Sequence, residues 1–249
     1  MRFRFYLSGF LLFLFAAACA VNTTIEVHND ASGSAEVEIS LHPVAVEYMS
    51  DVAASFGGEG ETAPNPFDIE AIKRSFLARD GMKLESIETK GTGTLRLTVG
   101  FDDVTKLLGI PDTCPDTGDS GKELNPLSFS MEGGTHTLSL KLTRRNFYRI
   151  SGLFILPDSP LTVLLPYSES DFMPRDEYIE VLSYALEDYL GTVSVQEFVS
   201  GAGVDARISA DSPILQTAGG KLSDGGAEFF IPLVDALTLE DDIERAVSW

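Results

Sequence analysis

Histidine and cysteine, the residues with the most versatile chemistry, are scarce: the chain of 249 residues has three histidines and two cysteines. His28 and His42 occupy the polar positions of one alternating segment, about 20 Å apart at roughly 3.3 Å per strand residue. At that separation they cannot share a metal ion. A turn near residues 30–33 predicts that His28 lies opposite Glu36. The HExxH, GxSxG, Walker A and GxGxxG motifs do not occur in the sequence, so we predict neither a metal centre nor a catalytic triad.

Carboxylates are the other candidates for chemistry. Asp112, Asp116 and Glu123 match positions 1, 5 and 12 of the calcium-loop template. Cys114 stands where the template needs an oxygen ligand, and Thr117 stands where its turn needs glycine, so an ordinary acidic loop is the favoured interpretation. A hydrolase that acts through two opposed carboxylates stays an alternative, because sequence does not show which acids face each other across a cleft.

A basic cluster interrupts the acidic chain: Arg144, Arg145 and Arg149, with Phe147 and Phe154 among the aromatic residues between and beyond them. A basic amphipathic helix of this kind is a candidate contact for a membrane surface or an acidic partner. The alternative is a helix that packs its aromatic face on a sheet, with the arginines in water or paired with carboxylates.

The N-terminus has the parts of an export signal. Arg2 and Arg4 precede an apolar run from Phe5 to Ala18, which ends in three alanines and Cys19. This order predicts a secretory signal peptide over residues 1–18. The run approaches the length that spans a bilayer, so an uncleaved anchor is a further alternative.

The segment Ala16-Ala17-Ala18-Cys19 resembles the lipobox of bacterial lipoproteins, in the relaxed form of spirochaete-like members, with Ala16 where leucine is usual. The resemblance implies that Cys19 carries an acyl chain such as palmitate and becomes the new N-terminus. It further implies a cell-envelope location on the inner or outer bacterial membrane, facing the periplasm or the exterior. Ordinary cleavage after Ala18 or Ala20 would instead give a secreted soluble protein.

Charge restricts the partners. The formal net charge is −20, and loss of residues 1–18 removes Arg2 and Arg4 and makes it −22. Binding of nucleic acid or of anionic headgroups needs positive surface, so we predict no nucleic-acid partner. With Cys19 acylated, Cys114 is the remaining thiol and no intramolecular disulfide can form. No cofactor is predicted.

Alternating apolar residues separated by turn residues predict β-hairpins. Four segments show the pattern: residues 23–43, 83–101, 127–142 and 214–233. Helical spacing predicts helices from about Pro43, over about 67–79 and over 174–190, and a short one near 102–109. The residues Ile243, Val247 and Trp249 can share one strand face and predict a closing strand at Ile243–Trp249. The apolar segment 160–166 predicts a buried strand.

These elements predict an α+β fold in which antiparallel hairpins form a sheet with helices packed mainly on one face. The mature part is residues 19–249, either one domain or units 19–109 and 126–249 about an acidic loop at 110–126. The order of hairpin, helices and further strands resembles envelope-lipoprotein domains of the LppM type. We therefore expect a non-enzymatic, membrane-tethered lipoprotein that binds a partner protein or envelope component. The alternatives are the carboxylate hydrolase and a lipoprotein that binds a lipid or other apolar ligand between sheet and helices, which would show an apolar cavity.

Overall fold

The computed structural model describes residues 19–56, 67, 69–77, 79–109, 125–147 and 170–249. Within these ranges the strands are β1 (Cys19–Val27), β2 (Gly33–Leu41), β3 (Met82–Lys90), β4 (Thr94–Phe101), β5 (Leu127–Glu132), β6 (Thr135–Leu142), β7 (Gly203–Ala210), β8 (Gln216–Ala218), β9 (Lys221–Ser223), β10 (Gly226–Pro232) and β11 (Ile243–Ser248). The helices are α1 (Pro43–Phe56), α2 (Ile69–Leu77), α3 (Arg175–Leu190), α4 (Val195–Ser200) and α5 (Leu233–Thr238), with a 3-10 helix at Val104–Lys106. Residues 144–147 are also helical. The fold is α+β and mostly sheet.

The large sheet has seven strands in the order β3-β4-β2-β1-β7-β10-β9. The predicted hairpins β1–β2 and β3–β4 are confirmed, with Val21 opposite Ile39 in the first. The sheet is mixed, however, because β1 and β7 pair in parallel, from Ala20 with Gly203 to Val27 with Ala210. The predicted antiparallel hairpins are therefore present, but the sheet that they form is mixed and not antiparallel throughout. The connection from β1 to β7 is long, so no tight turn restricts their relative direction.

The small sheet has four strands in the order β5-β6-β11-β8. A two-residue turn joins β5 to β6, and both of its residues, Gly133 and Gly134, have positive φ (58° and 85°), as a hairpin turn of this length requires. The predicted closing strand is confirmed as β11, which pairs with β6. The predicted fourth hairpin is divided: β8 pairs with β11 in the small sheet, whereas β9 pairs with β10 in the large one.

Three clusters of buried side chains form the core. In the first, α3, α4 and α5 pack with Ile231 and Ile243. In the second, α2 packs Ile72 and Phe76 on β1, β2 and β4. The third joins the ends of both sheets around Trp249. Strands from both sides of residues 110–124 enter the large sheet. The division into domains and the placement of helices mainly on one face stay predictions.

Candidate functional site

An apolar cavity of about 220 Å³ lies between the two sheets; we call it the inter-sheet cavity. Strand alternation produces its walls, since the odd-numbered residues of β1, β2, β4 and β11 point inward. The large sheet contributes Val21, Ile25, Val37, Leu97, Ala206 and Phe229 among others. The small sheet contributes Leu127, Leu138, Leu140, Leu142, Arg245 and Val247. Helix α2 contributes Ile72 and Phe76, and Arg79 follows just beyond its end.

The cavity lies where the three core clusters meet. Val37 belongs to the cluster around α2, Ile231 to the cluster of α3–α5, and Val247 to the cluster around Trp249, and all three line the cavity. Its volume is below the roughly 300–1,000 Å³ of sites for drug-sized ligands. It exceeds the about 150 Å³ of an apolar cavity that stays dry and binds benzene. The cavity can therefore hold a small apolar molecule or part of a chain.

Arg245 is a charged residue in this apolar lining. It occupies an inward position of β11 between Ile243 and Val247, which are 8% and 1% exposed. Its Nη1 donates to the carbonyl of Glu244 at 2.8 Å, whereas its Nε is buried and has no hydrogen-bond partner. Arg245 is not among the site residues predicted from the sequence. The signal was present, because Arg245 has the same parity as Ile243, Val247 and Trp249 in the predicted closing strand.

Arg79, just beyond α2, is a second arginine in the lining. Its Nη2 donates to the carbonyl oxygens of Lys106 (3.1 Å), Leu107 (3.4 Å) and Gly109 (3.2 Å). Burial lowers the pKa of this guanidinium, which nevertheless stays charged because arginine titrates far above neutral pH. Arg79 therefore holds the segment that follows the 3-10 helix.

The predicted basic cluster is only partly within the described residues. Arg144 donates from Nε to the carbonyl of Leu239 at 2.9 Å, and its guanidinium lies 5.6 Å from the centre of the Phe172 ring. Phe147 is buried in the cluster of α3–α5. Arg144 and Arg145 are exposed, and Arg149 lies outside the described residues. These contacts favour a segment packed on the core, and the membrane or partner contact stays a prediction.

His28 pairs with the loop after β7. Its Nδ1 lies 2.7 Å from Oδ1 of Asp211, and the backbone N–H of Asn29 donates to Oδ2 of the same carboxylate at 3.0 Å. The hydrogen bond raises the pKa of His28 and lowers the pKa of Asp211. The prediction that His28 lies opposite Glu36 was wrong: Thr24 lies opposite Glu36, four residues earlier in β1, because the turn is centred near residue 30 and not near residue 32.

No group of three histidine, cysteine, aspartate or glutamate side chains in the described ranges is arranged to hold a metal ion. The calcium-loop candidates Asp112, Asp116 and Glu123 lie outside those ranges, as do Cys114 and the predicted strand at 160–166. Cys19, the predicted acylation site, is the first residue of β1, and its backbone lies opposite Leu41.

A second concavity, of about 520 Å³, lies on the outer face of the large sheet; we call it the outer groove. Polar and charged side chains of β1, β7, β9 and β10 line it: Asn22, Thr24, Asp205, Arg207, Lys221 and Glu228. Phe230, 43% exposed, adds an aromatic ring. Its chemistry suits polar contacts with a partner.

No described helix is both long and apolar enough to cross a membrane. No protein-family model and no curated protein matches the sequence. Among solved structures, the chain is similar to the NMR structure of the folded domain of the Mycobacterium tuberculosis LppM protein. The TM-score is 0.38 and the identity 10%, over 93% of this chain and 89% of that chain. The likeness is weak and concerns the fold alone.

Proposed function

We propose that this protein is a membrane-tethered lipoprotein of a bacterial envelope, without enzymatic activity, that binds a small apolar ligand in the inter-sheet cavity. The cavity is the observation that carries the proposal. Among the functions that the sequence left open, binding of an apolar ligand is the one that requires such a space. Binding of an envelope protein, through the outer groove, is the alternative.

The energetics of the cavity favour an occupant. Apolar walls that face an unfilled space lack van der Waals partners there, and this loss grows with the volume of the space. A ligand that fills the space restores the missing van der Waals contacts, and that gain contributes to its affinity. Walls built from strands of two sheets hold the cavity open before the ligand arrives, which limits the entropy lost on binding.

The position of Cys19 supports a short tether. Because β1 begins at Cys19, an acyl chain on this residue leaves no flexible spacer between the lipid and the sheet. The domain would then lie at the bilayer surface, where apolar ligands partition. The anchor itself rests on the resemblance of residues 16–19 to a lipobox.

Three of the described carboxylates are unsuited to act as general acids. Hydrogen bonds lower the pKa values of Asp30, Glu70 and Asp211, chiefly those from Ser32, Lys73 and His28 respectively. A lowered pKa keeps a carboxyl group ionised, whereas a general acid in glycoside hydrolysis needs a raised one.

Calorimetric titration of octanol into the purified protein tests the ligand. Ala206→Leu fills the cavity from β7, and we expect octanol affinity to fall about tenfold or more. Asp205→Leu is the matched control, because it places the same side chain on the outer face of the same strand, and it should leave the affinity unchanged. Equal binding by both variants, or no binding by the parent protein, would contradict the proposal.

The intact mass of the N-terminal peptide from native membranes tests the tether. We expect a start at Cys19 with a mass increase from acyl chains. An unmodified start at Cys19 or Val21 would show that the protein is secreted in soluble form.

A further inference from the structure

We infer that the ligand of the inter-sheet cavity is a medium-chain carboxylate, whose hydrocarbon chain fills the cavity while its carboxylate binds Arg245. This inference rests on the proposed function and adds the chemical class of the ligand. It follows from the position of Arg245, from its missing hydrogen-bond partners and from the pairing of the nearby acids.

Arg245 lies at the boundary between cavity and solvent. Arg245 lies opposite Leu140 of β6, at an inward-facing position of β11. Its side chain lines the cavity and remains partly exposed. The remaining lining is almost wholly apolar, Arg79 apart. An amphiphile can therefore place its chain among the leucines and valines and its head group at Arg245, still in reach of water.

The hydrogen-bonding capacity of Arg245 is largely unused. A guanidinium has five N–H donors, and the contact described here is one bond from Nη1 to the neighbouring carbonyl of Glu244. The buried Nε has no partner, and a buried donor without a partner is unfavourable. A carboxylate can accept two parallel hydrogen bonds from one guanidinium, so it would satisfy this donor.

The acids next to Arg245 in sequence are already paired. Lys141 of β6 lies opposite Glu244 on the other face of the small sheet. Its Nζ is 2.7 Å from Glu244 and 3.6 Å from Asp242. No described carboxylate lies within ion-pair distance of Arg245, although the chain has a net charge of −20. The cavity therefore offers positive charge to an anionic ligand.

Arg79 is less suited to the head group. Its Nη2 already donates to three backbone carbonyl oxygens beside the 3-10 helix. Displacing those bonds would release the segment up to Gly109. The assignment to Arg245 follows from this difference in available donors.

The test is calorimetric titration of octanoate, octanol and octylamine, which share a chain length and differ in the head group. We expect the parent protein to bind octanoate about tenfold or more tightly than octanol, because a hydrogen-bonded charge pair strengthens binding by that order. Octylamine should bind most weakly, because its ammonium group is repelled by Arg245.

Arg245→Met removes the charge and keeps much of the apolar stem. It should weaken octanoate binding about tenfold or more and leave octanol binding unchanged. Arg96→Met is the control on the outer face of β4, where Arg96 lines neither concavity and donates to Glu38. It should bind both ligands as the parent does.

The outcomes separate the two proposals. If octanol and octanoate bind equally and Arg245→Met changes neither, the carboxylate assignment is wrong and the apolar site stands. If no ligand binds the parent protein, both are wrong. Should Arg245→Met fail to fold, the ranking of the three ligands on the parent protein decides, and octylamine binding as tightly as octanoate would overturn the inference.

Discussion

Two arginines on opposite sides of the large sheet differ in their partners. On the outer face, Arg96 of β4 donates to Glu38 of β2 and lies 3.8 Å from Glu88 of β3. Arg245 faces the inner side of the same sheet across the cavity, without a described carboxylate partner. On a solvated surface with many carboxylates, an arginine readily forms ion pairs. In an apolar lining, a charge without a partner instead indicates a place for a ligand.

The two concavities differ in the same way. The outer groove is larger, about 520 Å³ against about 220 Å³, but solvated polar side chains line it. The inter-sheet cavity is smaller and its walls are apolar. Apolar enclosure with a few polar groups is typical of small-molecule sites, so the smaller space is the better candidate.

The inner and outer faces of the large sheet should differ most in how much a side chain on each contributes to the free energy of unfolding. Ile39 of β2 is fully buried in the cluster around α2. Ile39→Ala should lower the free energy of unfolding by about 2–5 kcal/mol, through lost burial and the cavity left behind. Ser40→Ala, at the next position on the outer face, should change it by less than about 0.5 kcal/mol. Urea unfolding followed by circular dichroism measures both, and equal losses would refute the distinction between the faces.

A buried polar group at the end of the small sheet should have a smaller effect. The Trp249 indole is 4% exposed, stacks 5.7 Å from the His136 ring and donates from Nε1 to Oδ1 of Asn29 at 3.0 Å. Loss of this hydrogen bond in Trp249→Phe should cost about 0.5–1.5 kcal/mol in thermal unfolding. The same change in an Asn29→Ala background should cost less. An identical cost in both backgrounds would show that the bond contributes nothing.

The exposed ion pair between Arg96 and Glu38 should contribute less to stability than the burial of Ile39 or the hydrogen bond of Trp249. A double-mutant cycle of Arg96→Ala and Glu38→Ala should give a small favourable coupling, because both side chains remain in contact with water. That coupling should decrease as NaCl is added, since salt screens exposed charges. A coupling that is large and independent of salt would show that the pair is shielded from water, as side chains on the inner face are.

The smallest expected effect is the pH dependence of the His28–Asp211 pair. The raised pKa of His28 means that its contribution to stability is present below its unfolded pKa of 6.5 and is lost as pH rises through the folded value. The lowered pKa of Asp211 means that its contribution is present above 3.8 and is lost as pH falls through its folded value. Glu26 and Asp30 also raise the pKa of His28.

His28→Gln should therefore destabilise the protein more at about pH 5 than at about pH 8, in urea unfolding compared with the parent. In an Asp211→Asn background, which removes the partner carboxylate, the same replacement should show a much smaller difference. A destabilisation that is the same at both pH values would show that the pair does not titrate with folding.

Local patterns in the sequence determined the elements. The alternation of Leu127 and Phe129, the Gly133-Gly134 turn and the alternation from Leu138 predicted β5 and β6 as they occur. Gly191 ended α3 as predicted. These signals depend on residues close in sequence, because turn geometry and the inward–outward period of a strand are local properties. The scarcity of histidine and the negative net charge likewise restricted the classes of function, because both follow from composition alone.

The tertiary structure decided what distant segments do together. The parallel pairing of β1 with β7, and the division of β8 and β9 between two sheets, depend on which strands bury most apolar surface jointly, and no local turn encodes that choice. The cavity arises only where two sheets and α2 meet. Arg245 shares its parity with buried residues in the sequence, but only the opposing sheet turned that position into the lining of a cavity. Strand alternation directs Glu244 to Lys141 on the opposite face of the small sheet, so no described carboxylate pairs with Arg245 on the cavity side.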